Sequence, residues 1–360
     1  MESFEVELVE NRKKLFIRER FRFVAEVFLV FLGIFLFLLI PRVLFPILVD
    51  ESNIFFGPIY YLLRAIAILI ALPIFLFISN ILFETQKKNI IIEEDITPAS
   101  AQIKLFSISK DNFGYQLLYG LLILFIVFIP LDFLGYYFFP ATLEYTAVAL
   151  SSQSTDSYLL ANYSIFIFSV LIIQLSVAIY EESLTRGFLT IRGCEYFHKI
   201  SAVIIPSLYF GLMHFAYFLN PASRNFPIWI PFIWFLQTFF VAILLSIFII
   251  RKKKIFPLIF AHALNNIISA HAVWNYLQGN DFMIVTMYLY LPLLIVSGIL
   301  FIWQFPRIKN GISDGFSEIK TYFKANIKKG ESKSDIYFRI LFDIAIGLII
   351  LLIGLFIFAV

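Results

Sequence analysis

A single cysteine, Cys194, occurs in 360 residues, so no disulfide can close within the chain and no site of paired thiolates can hold a metal. Charge is sparse as well: Asp, Glu, Lys and Arg make up 15% of the chain, histidine occurs four times, and the net charge is only +3. Such a balance gives no basis for a nucleic-acid partner. No internal repeat is visible, and no polar stretch is long enough to form a separate soluble domain. Hydrophobic residues fill the space instead, at 61% of the chain with 45 phenylalanines. Several apolar runs exceed the ~18 residues that mark a membrane span. The fold class is therefore all-α, a polytopic transmembrane helical bundle in contact with membrane lipids.

Nine spans are predicted, at about 22–40, 58–83, 113–138, 163–190, 201–219, 226–250, 255–272, 281–304 and 337–359, each near the ~20 residues that a crossing helix needs. The polar, basic segment 1–21 precedes an apolar run too long and too poorly ended by small residues to be a cleaved signal peptide. Basic residues then alternate from loop to loop. Arg12 to Arg22 precede the first span, Lys87, Lys88, Lys104 and Lys110 follow the second, Arg192 and Lys199 the fourth, Arg251 to Lys254 the sixth, and Lys309 to Lys333 the eighth. The intervening loops carry only Arg42 and Arg224. That asymmetry places the amino terminus in the cytoplasm and the carboxyl terminus outside. The connection 305–336 puts Phe316, Ile319, Phe323 and Ile327 on one helical face and lysines elsewhere, which suits a short helix on the anionic inner leaflet; a solvated loop is the alternative. Glu93 and Glu94, among polar neighbours and close to Pro98, read as ordinary loop charges.

The stretch "IYEESLTRGF", residues 179–188, is different because it follows an apolar run directly. A helix places Glu181 roughly 16 Å inside the boundary marked by Arg192. A charged group at a span centre costs on the order of 2.5 to 3.5 kcal/mol, so two acids together require a reason. Glu182 and Arg186 are spaced to neutralise one another on one helical face. Glu181 then points about 100° away and is left without that partner. In later spans His214 stands four residues after Phe210, and His262 four before Asn266. Counted from the basic boundaries, Glu181, His214 and His262 all lie roughly 12 to 22 Å from the cytoplasmic side. Each residue alone has a structural explanation, as a packing histidine or an interhelical amide. His198 and His271 lie near span ends and are assigned no chemistry. Arg64, Asp132 and Asp343 read as structural intramembrane charges, with Arg64 and Asp132 placed to pair.

Brought together, Glu181, His214, His262 and Asn266 make a hydrolytic centre. A glutamate in an apolar pocket can take a proton from water, and a neutral histidine beside it can orient that water. A second histidine and an asparagine one turn away offer N–H groups to an oxyanion. Peptide-bond hydrolysis fits these parts.

Glu-Glu-x-x-x-Arg at 181–186, Phe-x-x-x-His at 210–214 and His-x-x-x-Asn at 262–266, in that order on successive hydrophobic segments, resemble the CPBP family. These are the intramembrane glutamic endopeptidases related to the type II CAAX prenyl endopeptidase and to bacterial abortive-infection and bacteriocin-immunity proteins. The resemblance implies a protease core over 160–275, between amino-terminal helices at 22–159 and carboxyl-terminal helices at 276–360. It implies Glu181 as general base with His214 helping to activate water, His262 and Asn266 as the oxyanion pair, and Glu182, Arg186 and Phe210 as supports. It further implies a polar cavity open to the cytoplasmic leaflet, a peptide or protein substrate at the membrane, no cofactor, and a bacterial inner-membrane location. Two alternatives stand beside it. One is a zinc-dependent form of the same protease, against which the chain has no His-Glu-x-x-His helix and offers an amide where a ligand is wanted. The other is a non-enzymatic immunity or partner-binding protein, since intramembrane ionisable groups also mark ion paths.

Overall fold

The computed structural model describes residues 2–83, 97–215, 225–324 and 332–358, with the backbone alone for 2–12 and 358. The charges of Lys87, Lys88, Glu93, Glu94, Arg224, Lys328 and Lys329, and the apolar Ile327, lie outside the described residues or, for Arg12, outside the described side chains. Among the described residues every regular element is helical. Helix α1 (Glu2–Leu39) continues through a π turn at Ile40–Leu44 to Leu48. There follow α2 (Phe56–Leu82), α3 (Pro98–Leu105), α4 (Lys110–Phe138), α5 (Ala141–Ser151) and a 3-10 segment, Ser154–Leu160. The remainder comprises α6 (Tyr163–Tyr196), α7 (Lys199–Phe215), α8 (Trp229–Lys252), α9 (Phe256–Leu277), α10 (Phe282–Tyr322) and α11 (Lys333–Phe358).

Local chemistry sets several of these ends. The Asn162 side chain accepts from the Ile165 amide at 3.1 Å and starts α6, supplying an orphan donor with a partner. Helix α8 stops at Lys253, whose φ of 51° is left-handed, with Arg251 and Lys252 in its negative last turn.

Among the described residues eight helices are long and apolar enough to cross a membrane. The predicted span at 201–219 corresponds to α7, which is apolar but only 17 residues long as far as it is described; the nine expected spans thus become eight and one shorter helix. The segment expected at 305–336 as a separate surface helix is instead continuous with the preceding span up to Tyr322, with Pro306 inside it. Its Phe316, Ile319 and Phe323 are exposed.

Two apolar cores organise the bundle, and α6 takes part in both. Phe166, Val170, Ile173 and Ala178 pack into a core shared with α4, α8 and α9. Leu184, Phe188 and Leu189 pack into the other, shared with α1, α2, α7 and α11. The handover falls at Glu182 and Ser183, where the helix widens to a π conformation over Ser183–Thr190. An inserted π turn shifts which side chains share a face, so one helix can serve two cores that a uniform 3.6-residue period would not align.

Charges that looked isolated are paired. Asp343 accepts from Arg20 Nε at 3.1 Å and from Ser201 Oγ at 2.6 Å, tying α11 to α1 and α7. Arg192, expected as a loop cation, is buried and bonded to Glu26 at 2.6 and 3.0 Å, because α1 brings a carboxylate to it. The connection between α4 and α6 also folds inward, burying Tyr145, Ala147, Tyr158 and Leu159. Gly57 permits that approach: a Cβ there would stand 2.0 Å from the Thr155 carbonyl oxygen.

Candidate active site

The polar end of α6 is held by hydroxyl groups and one ion pair. Thr185 Oγ1 donates to the Glu181 carbonyl at 2.5 Å, and Thr190 Oγ1 donates to the Thr185 carbonyl at 2.9 Å. These bonds occupy acceptors that the irregular π spacing disturbs. All eight residues of the π segment are buried, which requires such satisfaction where no water reaches.

Within this frame Glu182 and Arg186 pair as their spacing predicts, at 3.2 Å, with side chains 0% and 1% exposed. Arg186 Nη1 also donates to Thr185 Oγ1 at 2.7 Å, and its guanidinium lies 4.2 Å from the centre of the Phe210 ring. Phe210 is thus an aromatic face for a buried cation. The other Glu182 contact is absent from any spacing rule: its Oε1 lies 2.8 Å from His262 Nδ1 on α9. A carboxylate only accepts, so the His262 proton sits on Nδ1 and the ring is oriented by Glu182.

Glu181 faces the other way. Its Oε2 is buried, has no hydrogen-bond partner, and lies 3.6 Å from His262 Nε2. The side chain is 19% exposed, and Tyr180 donates to its Oε1 at 3.4 Å. His214 Nδ1 lies 2.9 Å from the Phe210 carbonyl on its own helix. That oxygen can only accept, so Nδ1 carries a proton, and with the ring neutral Nε2 presents a lone pair. Its ring packs edge-on against Trp234, 5.7 Å away.

Glu181, His214, His262 and Asn266 all line one cavity of about 190 Å³, together with Arg186 and Phe210. Glu182 stands behind the wall. His198 and His271 are elsewhere: the first packs on Tyr322, and the second bonds the Tyr288 hydroxyl at 2.7 Å. The same cavity is lined by residues to which sequence reasoning gave no part in a site, namely Asp132, Asp156, Ser269 and Asn265. Arg64 does not make the expected pair with Asp132. Asp132 accepts from Tyr290 instead, at 2.8 Å, while Arg64 acts electrostatically on Asp156 and covers the Tyr180 ring at 4.5 Å. Only the clustering of polar letters in "SSQSTDSY" hinted at Asp156, and that pattern is the same as an exposed loop's.

Among the described residues no three His, Cys, Asp or Glu side chains are grouped to hold a metal ion. The residues that line the cavity can accept a proton at Glu181, accept a hydrogen bond at His214 and donate from the Asn266 amide.

Comparison with known proteins gives one finding. Residues 163–268 match the Rce1-like family, described as type II CAAX prenyl endopeptidase Rce1-like. The matched segment carries all the candidate side chains from Glu181 to Asn266, and it supports a CAAX-type intramembrane protease in general. No curated protein and no solved structure matches the chain.

Proposed function

We propose that the chain is a metal-independent intramembrane endopeptidase in which Glu181 is the general base. The observation that carries this reading is the Glu181 carboxylate itself, with a buried, unpartnered Oε2 in a cavity that His214, His262 and Asn266 also line. A water between Glu181 and His214 gives its proton to the carboxylate while the His214 Nε2 lone pair accepts its second hydrogen. The water oxygen then attacks the peptide carbonyl carbon, and the proton held on Glu181 passes to the departing amine.

The oxyanion is met by the Asn266 amide and by His262. Because Nδ1 of His262 already faces Glu182, Nε2 can donate only when the ring is an imidazolium. Two carboxylates beside the ring and one guanidinium beside Glu182 suit that form, since Glu181, Glu182, Arg186 and imidazolium His262 sum to zero charge in a site where net charge is expensive. Glu182 is thereby a positioning residue that fixes the ring and offsets its charge. The basic-loop asymmetry supports an amino terminus in the cytoplasm, the depth of Glu181, His214 and His262 counted from the basic boundaries supports a cavity entered from the cytoplasmic leaflet, and the family resemblance supports a bacterial inner membrane.

The test is a mass-spectrometric comparison of membrane peptides from cells carrying the intact chain or Glu181→Gln. Loss of specific cleavage products in the variant is the expected result; full function in Glu181→Gln would remove the enzymatic reading and favour a partner-binding protein. Cleavage should also survive exhaustive dialysis against a strong chelator, and its loss with recovery on adding zinc would replace the metal-free mechanism.

A further inference from the structure

The cavity does not end at the catalytic cluster. Along α6 its wall runs from Glu181 back to Ile173, and along α9 from His262 on to Val273, with the polar groups of Gln174 and Ser269 along the way. Gln174 and Ser269 each stand seven residues, roughly 10 Å of helix, from the catalytic side chain on their own helix. The inward-folded α5 and 3-10 segment close the side of this arm with Thr142, Thr146 and Asp156. This wall is not apolar. Tyr290 donates to Asp132 at 2.8 Å, the Tyr136 and Ser269 hydroxyls are 2.5 Å apart, and Gln174 donates to the Tyr158 hydroxyl at 3.2 Å.

Two features give the arm a sign. First, the buried atoms without a hydrogen-bond partner along it are acceptors: Asp156 Oδ2 and Asn265 Oδ1. Asp156 is 4% exposed, so water in bulk does not serve it. Second, the arm's two carboxyl groups have one guanidinium near them, that of Arg64 acting on Asp156. Fully ionised, the group is one positive charge short of neutrality. In a low-dielectric cavity that deficit is filled by a bound proton or by a ligand cation.

We propose that this arm is a recognition subsite for a cationic side chain, lysine or arginine, of the peptide cleaved at Glu181, with Asp156 and Asp132 supplying the opposing charges. The proposal rests on the endopeptidase reading and adds a substrate class to it. The dimensions agree: one extended residue covers about 3.4 Å, and a long side chain covers most of the remaining distance. The basic residue therefore sits one or two positions from the scissile bond. Burial alone pushes the Asp156 carboxyl up to about 7, so near neutrality an incoming ammonium displaces a weakly held proton. The side chain that enters must donate without accepting, which selects ammonium and guanidinium over hydroxyl and amide groups.

The experiment uses the full chain in proteoliposomes and a sequence-randomised peptide mixture read by mass spectrometry, followed by matched peptides carrying lysine, acetyl-lysine or norleucine at the preferred position. The intact chain should favour lysine over norleucine at least tenfold in kcat/KM. Asp156→Asn, and independently Asp132→Asn, should bring that ratio toward one while still cleaving the norleucine peptide, which shows that the variant is folded. Absence of any basic preference in the intact chain overturns the subsite without recourse to a variant, and so does an unchanged ratio in both Asn variants. Cleavage that is equal in the intact chain and Glu181→Gln sinks the endopeptidase reading and the subsite together. A preference for glutamine or serine at that position would replace a charge-reading arm by a neutral one.

Discussion

Glu182→Gln takes one carboxylate from a pair whose side chains are 0% and 1% exposed, and it leaves the Arg186 guanidinium without its nearest counter-charge. Removing one partner of a buried ion pair typically destabilises by about 3 to 5 kcal/mol, and no solvent screening reduces the figure at this depth. Arg186 Nε and Nη2 already lack hydrogen-bond partners, so the guanidinium has few other bonds to fall back on besides Thr185 and the Phe210 ring. Arg186→Met should cost less, because Glu182 keeps its 2.8 Å contact with His262 Nδ1. The double variant removes both charges and keeps the volume, and it should lose at least about 2 kcal/mol less than the sum of the singles. Equilibrium unfolding of the purified protein in bicelles measures all three. Activity should part company with stability: the double variant recovers the fold but not kcat, because His262 Nδ1 has lost the carboxylate that orients it at 2.8 Å. Single variants that unfold like the parent, or a double equal to the sum within about 0.5 kcal/mol, would refute the reasoning.

Asn266→Ala should lower kcat by roughly 100- to 1,000-fold with little change in KM, as expected when one oxyanion donor is removed; steady-state kinetics on a cleaved peptide decide it. Burial raises Asp156 from 3.8 to about 7, so the folded chain holds a proton that the unfolded chain has released between those values. Stability should fall as pH rises through that window, by no more than about 4 kcal/mol for three units, and Asp156→Asn should flatten the slope in thermal melts from pH 4 to pH 8. Gly57→Ala would place a methyl 2.0 Å from the Thr155 carbonyl oxygen, a backbone atom that cannot swing aside. It should lower the melting temperature and shift the peptide preference by displacing the arm's wall, and an unaltered variant would show that the 3-10 segment moves freely.

Much of the candidate site was legible because membrane chemistry makes polar letters conspicuous. Glu181, His214, His262 and Asn266 stand out against apolar runs, and counting inward from basic boundaries brings them to one depth. The structure has all four lining one cavity. The same contrast failed where polar residues lie among polar letters. Asp156 sits in a stretch indistinguishable from an external loop, and Arg192 looks like an ordinary boundary cation until α1 delivers Glu26 to it. Regular periodicity also concealed the π segment at Ser183–Thr190, since hydrophobic spacing does not report which carbonyl an amide selects.

By itself the sequence determined the solvent, the helical class and the pairing of Glu182 with Arg186, because these follow from hydrophobic run length and from neighbours four residues apart on one helix. Tertiary structure alone decided that Glu182 also holds His262, that Asp343 answers Arg20, and that the segment between α4 and α6 turns inward to wall the cavity. Those contacts join residues 80 and 323 positions apart in the first two cases. Such meetings depend on how whole helices pack, and no local spacing encodes them.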